Sequence, residues 1–267
     1  MSDAPPRSRE EFLELFSHYV GEEYVQDVVE QIGVRRGGGF RLPRRVLLIL
    51  FASRSGSSYL GQLLSGTGWF REISESFRPS QLKKIRDRYR LNALHEAAQW
   101  MIDQRGTPDA FGFKAGFAVL IAAAAIGVLP ELIERADIVL LRRRDRLAQA
   151  VSLVKSMLTR RTHSGQPIGH QLSDADYDPD AIEFQVRLIA EREAQFADMA
   201  ERLGKRAPIL YYEDICAEPE QHVGKICETL GLAVPSDYEP TVRVQILRDE
   251  LSARWIERFR TENPDVS

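Results

Sequence analysis

The sequence predicts an α/β fold of three layers, with a central, mainly parallel sheet flanked by helices. Residues 46–51 (VLLILF) are six consecutive apolar residues, which is typical of a strand buried on both faces. A loop of small residues and a helical pattern follow this run, and the same order of strand, short loop and helix returns at 138–160. Strands that alternate with helices favour a parallel sheet.

The remaining elements follow from the same patterns of apolar residues. The predicted strands are 46–51, 110–114, 138–141 and 208–212. Helical spacing and glycine breaks predict helices from Tyr59 to Gly66, over 148–160 and over 219–230, where Gly231 is a natural stop. The polar stretch 160–180, which contains His163 and His170, is long enough to be a lid or a substrate loop.

The first 43 residues form an N-terminal helical appendage with a glycine-rich connector, and residues 44–267 form the main domain. Apolar residues between Arg9 and Ile32 recur at helical spacing, and Gly21 divides them into two short helices. Three consecutive glycines at 37–39 indicate a flexible connection. We expect the appendage to pack on the domain or on a partner, so a homodimer is one option.

Composition excludes several classes of protein. The net charge of −3 over 267 residues argues against a nucleic-acid binder. The two cysteines, Cys216 and Cys227, have no spacing that suggests a metal site, and we expect no metal. The apolar run 115–130 is shorter than the roughly 20 residues of a membrane span, so it predicts one buried helix and no transmembrane segment. The polar N-terminus and the free thiols predict a cytoplasmic protein.

The loop 52–58 (ASRSGSS) is the strongest local signal. It leaves the first buried strand and opens a helix, and Gly56 allows the backbone to approach an anion closely. Ser55, Ser57 and Ser58 add hydroxyl donors, and Arg54 adds a permanent charge. The alternative is a serine-rich helix cap without a ligand. Because no lysine follows Gly56, the loop is not a Walker A motif, which disfavours a nucleoside triphosphatase.

A second basic segment, 142–146 (RRRDR), follows the predicted strand 138–141. Ligands of α/β sheets bind at the carboxyl ends of strands, and a guanidinium is the usual partner of a phosphate. Not all four arginines can face one phosphate, so we expect Arg142, Arg144 and Arg146 to pair with nearby acids such as Asp145. Arg143 remains the candidate ligand, and Ser152 on the next helix could supply a hydroxyl.

Together these segments resemble one family. RSGSSYLGQLLSGTG (54–68), RRDRLAQAVS (143–152), the intervening Glu75 and the tail LSARWIERFR (251–260) resemble the bacterial PAPS-dependent carbohydrate sulfotransferases of the trehalose 2-sulfotransferase and nodulation-factor types. The resemblance implies a P-loop-like fold, PAPS as the donor and PAP as the product. It implies that Arg54, Ser55, Gly56, Ser57 and Ser58 hold the 5′-phosphosulfate, and that Arg143 and Ser152 hold the 3′-phosphate.

The resemblance also implies the catalytic groups. The general base falls on Glu75, with Glu72 three residues earlier, and Lys114 matches a lysine of the corresponding strand that faces the transferring group or the acceptor. The alternative for Lys114 is a side chain at the sheet edge that extends into solvent. Sulfuryl transfer to an alcohol needs a base for the hydroxyl proton. It also needs fixed positive charge for the bridging oxygen of the donor, which Arg54 and the N–H groups of the loop supply, so Arg54 is a third catalytic candidate. The reaction needs no metal.

We therefore predict transfer of a sulfuryl group from PAPS to a hydroxyl of a carbohydrate or glycolipid. The alternatives are a P-loop kinase of small molecules and a non-catalytic nucleotide-binding module. A pure binder needs no base, so Glu75 distinguishes it from an enzyme. The identity of the acceptor does not follow from the sequence.

Overall fold

The computed structural model of the chain describes residues 4–33, 39–159, 171–242 and 249–264. Within these ranges the chain forms four strands and twelve α-helices. The strands are β1 Arg45–Phe51, β2 Ala110–Ala115, β3 Ala136–Arg142 and β4 Ile209–Tyr211. The helices are α1 Arg9–Val20, α2 Glu22–Ile32, α3 Ser57–Ser65, α4 Pro79–Tyr89, α5 Leu94–Arg105, α6 Phe117–Ile126, α7 Leu129–Arg135, α8 Arg146–Thr159, α9 Pro179–Arg202, α10 Tyr212–Ala217, α11 Pro219–Thr229 and α12 Glu250–Glu262.

The four strands form one parallel sheet in the order β2–β1–β3–β4. β1 is hydrogen-bonded on both sides, and Val46 to Phe51 are buried, as the continuous apolar run predicts. The predicted strands are all present, with ends that differ by one or two residues. The prediction of an α/β fold with a parallel central sheet is confirmed.

Alternate side chains of β1 enter two separate apolar cores, one on each face of the sheet. Val46, Leu48 and Leu50 pack with the helices α1, α2 and α4 to α7. The intervening side chains of β1 pack with α3, α10 and α11. This alternation follows from the period of two residues along a strand, and it produces the three layers that the sequence predicts. A third apolar cluster joins α8, α9 and α12.

The apolar run 115–130 differs from its prediction. It is buried as expected, but it forms two helices, α6 and α7, whose axes bend by 113°. Gly127 ends α6 in the left-handed region at φ +89°, where a glycine is strongly favoured. Pro130 then lies in the first turn of α7, the position in a helix that tolerates proline. Among the described residues, no single helix has the length and apolar character to cross a membrane.

The two N-terminal helices pack on α6 and contribute to the larger core. Phe12 and Phe16 of α1 are buried, and the ring of Phe16 lies edge-on to Phe117, with centroids 6.1 Å apart. The glycine-rich connection at 34–38 lies outside the described residues. So do residues 160–170 of the polar stretch, which include His163 and His170. The rest of that stretch is shorter than predicted, because α9 already begins at Pro179.

We predict that Phe16→Ala destabilises the whole domain. The side chain is 1% exposed, and its loss should lower the free energy of unfolding by about 3–5 kcal/mol, as for other buried phenylalanines. Urea denaturation measures this change. Tyr24→Ala is the control, because Tyr24 of α2 is 44% exposed and its loss should change stability by less than about 0.5 kcal/mol. Equal midpoints for Phe16→Ala and the wild type would contradict a shared core.

Candidate functional site

The carboxyl ends of the parallel strands open into a cleft of about 1020 Å³. Its walls come from the loop after β1, the end of β2, the loop after β3 and the segment before α4, together with parts of α8 and α12. The structure brings eight of the predicted site residues to the surface of this one cleft: Arg54, Gly56, Ser57, Ser58, Glu75, Lys114, Arg143 and Ser152. Ser55 lies beneath the loop and is fully buried. Carboxyl ends of strands are the usual ligand site of such sheets.

The loop between β1 and α3 has the backbone of an anion-binding turn. Arg54 and Gly56 both have positive φ, at +67° and +88°, so successive N–H groups turn towards one side, as they do in anion-binding nests. A Cβ on Gly56 would lie 2.2 Å from Cδ2 of Tyr212, so only glycine fits here. The N-terminus of α3 follows at Ser57 and adds its partial positive charge.

In this loop, Ser55 places a buried hydroxyl group that has no partner in the described part of the chain. Its side chain is 0% exposed, and its Oγ has no hydrogen-bond partner among the described residues. Buried polar atoms are nearly always hydrogen-bonded, and an unmet donor or acceptor costs about 1–3 kcal/mol. The loop is therefore better suited to a bound anion than to a plain helix cap.

The two arginine-bearing segments meet in the cleft through Ser152. Arg54 Nε donates a hydrogen bond of 3.0 Å to Ser152 Oγ on α8. Burial lowers the pKa of Arg54, and the positive charge of Arg143 lowers it further, which means that the two guanidinium groups are close. Two like charges at one place in a protein create a site for an anion.

Arg143 is itself largely buried and poorly neutralised. Its Nε is buried without a hydrogen-bond partner among the described residues, and the nearest carboxylate oxygen, from Glu213, lies 3.8 Å away. The guanidinium also lies over the ring of Tyr212, 5.7 Å from the centroid. Arg143 thus keeps both charge and hydrogen-bonding capacity for a ligand.

The other arginines of the basic segment are engaged by the protein. Arg142 donates to the carbonyl oxygen of Glu193 at 2.9 Å, and Arg146 pairs with the buried Glu193 carboxylate at 2.9 Å. Arg144 pairs with Asp214 and lies over Tyr211. Arg144 and Arg146 thus have the acid partners that were expected, although the acids are Asp214 and Glu193, whereas the partner of Arg142 is a backbone carbonyl group. Asp145, the expected partner, instead accepts from the N–H of Ala148 at 2.8 Å, near the start of α8.

Lys114 ends inside the cleft and not in solvent. It is 6% exposed, and its Nζ lies 2.8 Å from Ser58 Oγ and 3.3 Å from Ser57 Oγ. Burial lowers the pKa of Lys114 to about 8, although the negative charge of Glu75 opposes this shift. A lysine from β2 therefore supplies the charge that a Walker motif would place on the loop itself.

The segment that carries Glu72 and Glu75 is attached to the outer edge of β2. Ser74 forms a parallel bridge with Phe113, and the N–H of Lys114 donates to Ser74 O at 3.0 Å. This pairing places Glu75 beside the cleft, with its Oε2 3.5 Å from Nε of Arg78. The side chain of Glu75 is 27% exposed, whereas that of Glu72 is 55% exposed.

Arg105, which sequence reasoning missed, anchors this segment from beneath. Its carbonyl oxygen accepts from the N–H groups of Arg71 and Glu72. Its guanidinium donates to Ser74 Oγ and Ser76 Oγ and pairs with Glu72 at 3.5 Å. Burial lowers its pKa. In the sequence, an arginine at the last position of a helix predicts only a favourable contact with the helix dipole, so no local signal reveals this role.

α12 lines the side of the cleft near α8. Lys155 of α8 contacts both carboxylate oxygens of Asp249, at 2.6 and 2.8 Å, and Ser252 Oγ at 2.7 Å. Ser252, Ile256 and Arg260 face the cleft. The tail 251–260 therefore contributes to the cleft surface.

The segment 243–245, which precedes this tail, lies outside the described residues. No group of His, Cys, Asp or Glu in the described part of the chain is arranged to hold a metal ion.

Comparison with known proteins identifies the family. The model of the Stf0 sulphotransferase family matches residues 122–262, which is more than half of the chain. The chain belongs to this family. Arg143, Ser152 and α12 lie within the match, whereas the loop 52–58, Glu75 and Lys114 precede it. Membership in the Stf0 family confirms the predicted relationship to bacterial sulfotransferases. It also makes sulfuryl transfer the general activity of the chain.

Solved structures agree with this fold. A sulfotransferase from Alicyclobacillus acidocaldarius superposes with a TM-score of 0.50 at 17% identity, over 83% of this chain and 96% of that one. The sulfotransferase domain of the Synechococcus PCC 7002 olefin synthase has a TM-score of 0.49 at 12% identity, over 86% and 91% of the two chains. No curated protein matches the chain. The first of these likenesses supports the P-loop-like sulfotransferase fold of the Stf0 chain.

We predict that Lys114→Met changes how stability depends on pH. In the folded protein burial lowers the pKa of Lys114 to about 8, whereas a lysine in the unfolded chain has a pKa of about 10.4. Between these values the unfolded state binds more protons, so this group makes wild-type stability rise with pH. Chemical denaturation across this window should show the wild type gaining stability relative to Lys114→Met. If the stability of the two proteins changes in parallel with pH, burial does not lower the pKa of Lys114 and the prediction is wrong.

Proposed function

We propose that this Stf0-family protein transfers a sulfuryl group from PAPS to a hydroxyl group of a carbohydrate or glycolipid. Family membership supports sulfuryl transfer as such. The observation that supports this donor is the convergence of Arg54, Ser152 and Arg143 beside Lys114 and the unpartnered Ser55. The cleft thus offers two adjoining groups of cationic side chains, and this arrangement fits a nucleotide that carries phosphate groups at two positions.

The residues present suit a polyanionic donor. Ser55 Oγ and Arg143 Nε are buried polar atoms without hydrogen-bond partners among the described residues. Neither Lys114 nor Arg143 has a carboxylate within hydrogen-bonding distance in the described ranges. A bound anion would satisfy Arg143, which lines the cleft and whose Nε is costly to leave unmet. Arg54, Ser57 and Ser58 with the loop backbone would hold the 5′-phosphosulfate, and Arg143 with Ser152 the 3′-phosphate.

Glu75 would act as the general base. The acceptor oxygen forms its bond to sulfur as the bond between sulfur and the bridging phosphate oxygen breaks, and Glu75 receives the hydroxyl proton. Lys114 and the N–H groups of the loop would stabilise the charge that develops on the bridging oxygen. The support for Glu75 is its place beside the cleft and its electrostatic effect on Lys114.

The alternatives fit the cleft less well. A P-loop kinase of small molecules would need its usual loop lysine, which is absent, and the Stf0 family match favours sulfuryl transfer. A non-catalytic nucleotide-binding module would need no carboxylate beside Lys114.

A screen with labelled PAPS against neutral and acidic glycans and glycolipids tests the proposal as a whole. If none of these glycans and glycolipids is sulfated and PAP does not bind, PAPS is not the donor.

We predict that Glu75→Gln abolishes transfer and preserves donor binding. Removal of a general base should lower turnover by about 10²–10⁴-fold, while PAP affinity in calorimetry should remain that of the wild type. Glu201→Gln, an exposed substitution near the end of α9, is the control and should leave both unchanged.

Glu72→Gln tests the competing carboxylate of the same segment. Because Glu72 pairs with Arg105, its loss should disturb the segment and lower turnover less than Glu75→Gln does. If Glu72→Gln abolishes transfer and Glu75→Gln does not, the base is Glu72 and our assignment is wrong. If neither changes turnover, the base lies elsewhere.

We predict that Arg143→Ala weakens PAP much more than adenosine 5′-phosphate, which lacks the 3′-phosphate. A charged hydrogen-bonded contact accounts for about 10–100-fold in affinity, and calorimetry with both nucleotides measures it. Arg144→Ala is the matched control, because Arg144 is exposed and pairs with Asp214. Equal losses for both nucleotides would contradict a contact between Arg143 and the 3′-phosphate.

A further inference from the structure

The strongest concentration of positive charge outside the cleft lies on α4 and the residues that flank it. Residues 78–90 carry a charge of +5, whereas the whole chain carries −3. The single acid of this stretch is Asp87, and its basic residues are Arg78, Lys83, Lys84, Arg86, Arg88 and Arg90. Such a local excess in a mildly acidic protein creates a strongly positive field at one surface.

The protein does not neutralise most of this charge. Leu82 and Ile85 form the buried side of α4, whereas Lys84, Arg88 and Arg90 are exposed, and Lys83 and Arg86 are half-buried. Arg78 pairs with Glu75, and Arg86 pairs with its neighbour Asp87. The other four cations form no ion pair with any residue that the structure describes: Lys83, Lys84, Arg88 and Arg90.

An aromatic pair lies at the same surface. Tyr89, at the end of α4, is 43% exposed, and its ring lies against Trp100 of α5 in a tilted arrangement, with centroids 4.6 Å apart. The guanidinium of Arg88 lies 5.6 Å from the Tyr89 centroid. Tyrosine and tryptophan beside Lys and Arg are typical of side chains that rest at the interface between a membrane and water.

We propose that this surface, formed by α4 and Trp100 of α5, binds a bilayer that contains anionic lipids. Its cations are complementary to anionic head groups, and its aromatic pair suits the interfacial layer. Nucleic acid fits less well, because Tyr89 and Trp100 each cover one face of the other and are not spaced to stack successive bases. The binding is peripheral and needs no membrane-spanning helix.

The position of the surface links it to the cleft. Arg78 and Gln81, at the start of α4, line the cleft beside Glu75. An α-helix of 11 residues is about 16 Å long, so a bilayer on α4 would lie near the cleft mouth. If the proposed function holds, a glycolipid in that bilayer would present its head group to Glu75. The binding to lipid does not itself depend on the proposed function.

Vesicle sedimentation tests the surface directly. The wild type should bind phosphatidylcholine vesicles that contain roughly a third phosphatidylglycerol much more tightly than vesicles of phosphatidylcholine alone. Each cation near an anionic surface strengthens binding about fivefold. The double variant Lys84→Glu/Arg88→Glu, which changes the charge by four units, should therefore lose about a hundredfold or more. Raising the salt concentration should weaken wild-type binding in the same way.

The control is a second double variant, which changes the net charge by the same four units on a different part of the surface. Arg206, before β4, and Lys225, on α11, are exposed, and Arg206→Glu/Lys225→Glu should keep most of the vesicle affinity. Thermal unfolding checks that both double variants fold. Both should also bind PAP as the wild type does, so a failure of the lipid surface is distinguishable from a failure of the proposed donor.

Three results would overturn the proposal. One is equal binding to neutral and anionic vesicles by the wild type. Another is an equal loss in the two double variants, which would indicate that overall charge alone attracts the protein to the vesicles. The third is tight binding of a DNA duplex that depends on Lys84 and Arg88, with no vesicle binding, which would make this a nucleic-acid surface.

Discussion

Three cationic side chains, Arg54, Lys114 and Arg143, are held in one cleft, and among the described residues neither Lys114 nor Arg143 has a carboxylate within hydrogen-bonding distance. Burial lowers the pKa of both Arg54 and Lys114, and burial of a charged group costs free energy. The fold maintains this arrangement because each cation comes from a different strand end of one rigid parallel sheet. An anion in the cleft would recover part of this cost, so the burial that destabilises these cations favours a negatively charged ligand.

The sheet explains why these groups meet although they are far apart in the chain. β1 is paired with both β2 and β3, so the residues that follow its last position lie between the ends of its neighbours. Ser152 then connects the first loop to α8 through Arg54, and Lys114 connects the loop to β2 through Ser57 and Ser58. Preorganised charges of this kind need little rearrangement when a reaction develops charge.

Sequence patterns predict the parts of this arrangement that depend on local order. The run 46–51 and the loop 52–58 predict β1 and the tight turn that follows it, because burial and backbone freedom are local properties. The break at Gly127 was not predicted, since an apolar run alone does not show where a helix bends. The role of Arg105 depends on contacts with residues about 30 positions away, and the pairing of Arg146 with Glu193 on contacts 47 positions away. Such contacts follow only from the fold.

Lys114 couples the two sides of the cleft electrostatically. Its ammonium group contacts the hydroxyl groups of the first loop on one side, and Glu75 on the other side opposes the fall in its pKa. A polyanion bound at the loop would favour the charged form of Lys114 further, so the lysine would keep its proton during transfer. Under the proposed function, Lys114 then stabilises the leaving oxygen and Glu75 accepts the hydroxyl proton. This division of roles requires that Lys114 still carries its proton when Glu75 takes the proton of the hydroxyl group.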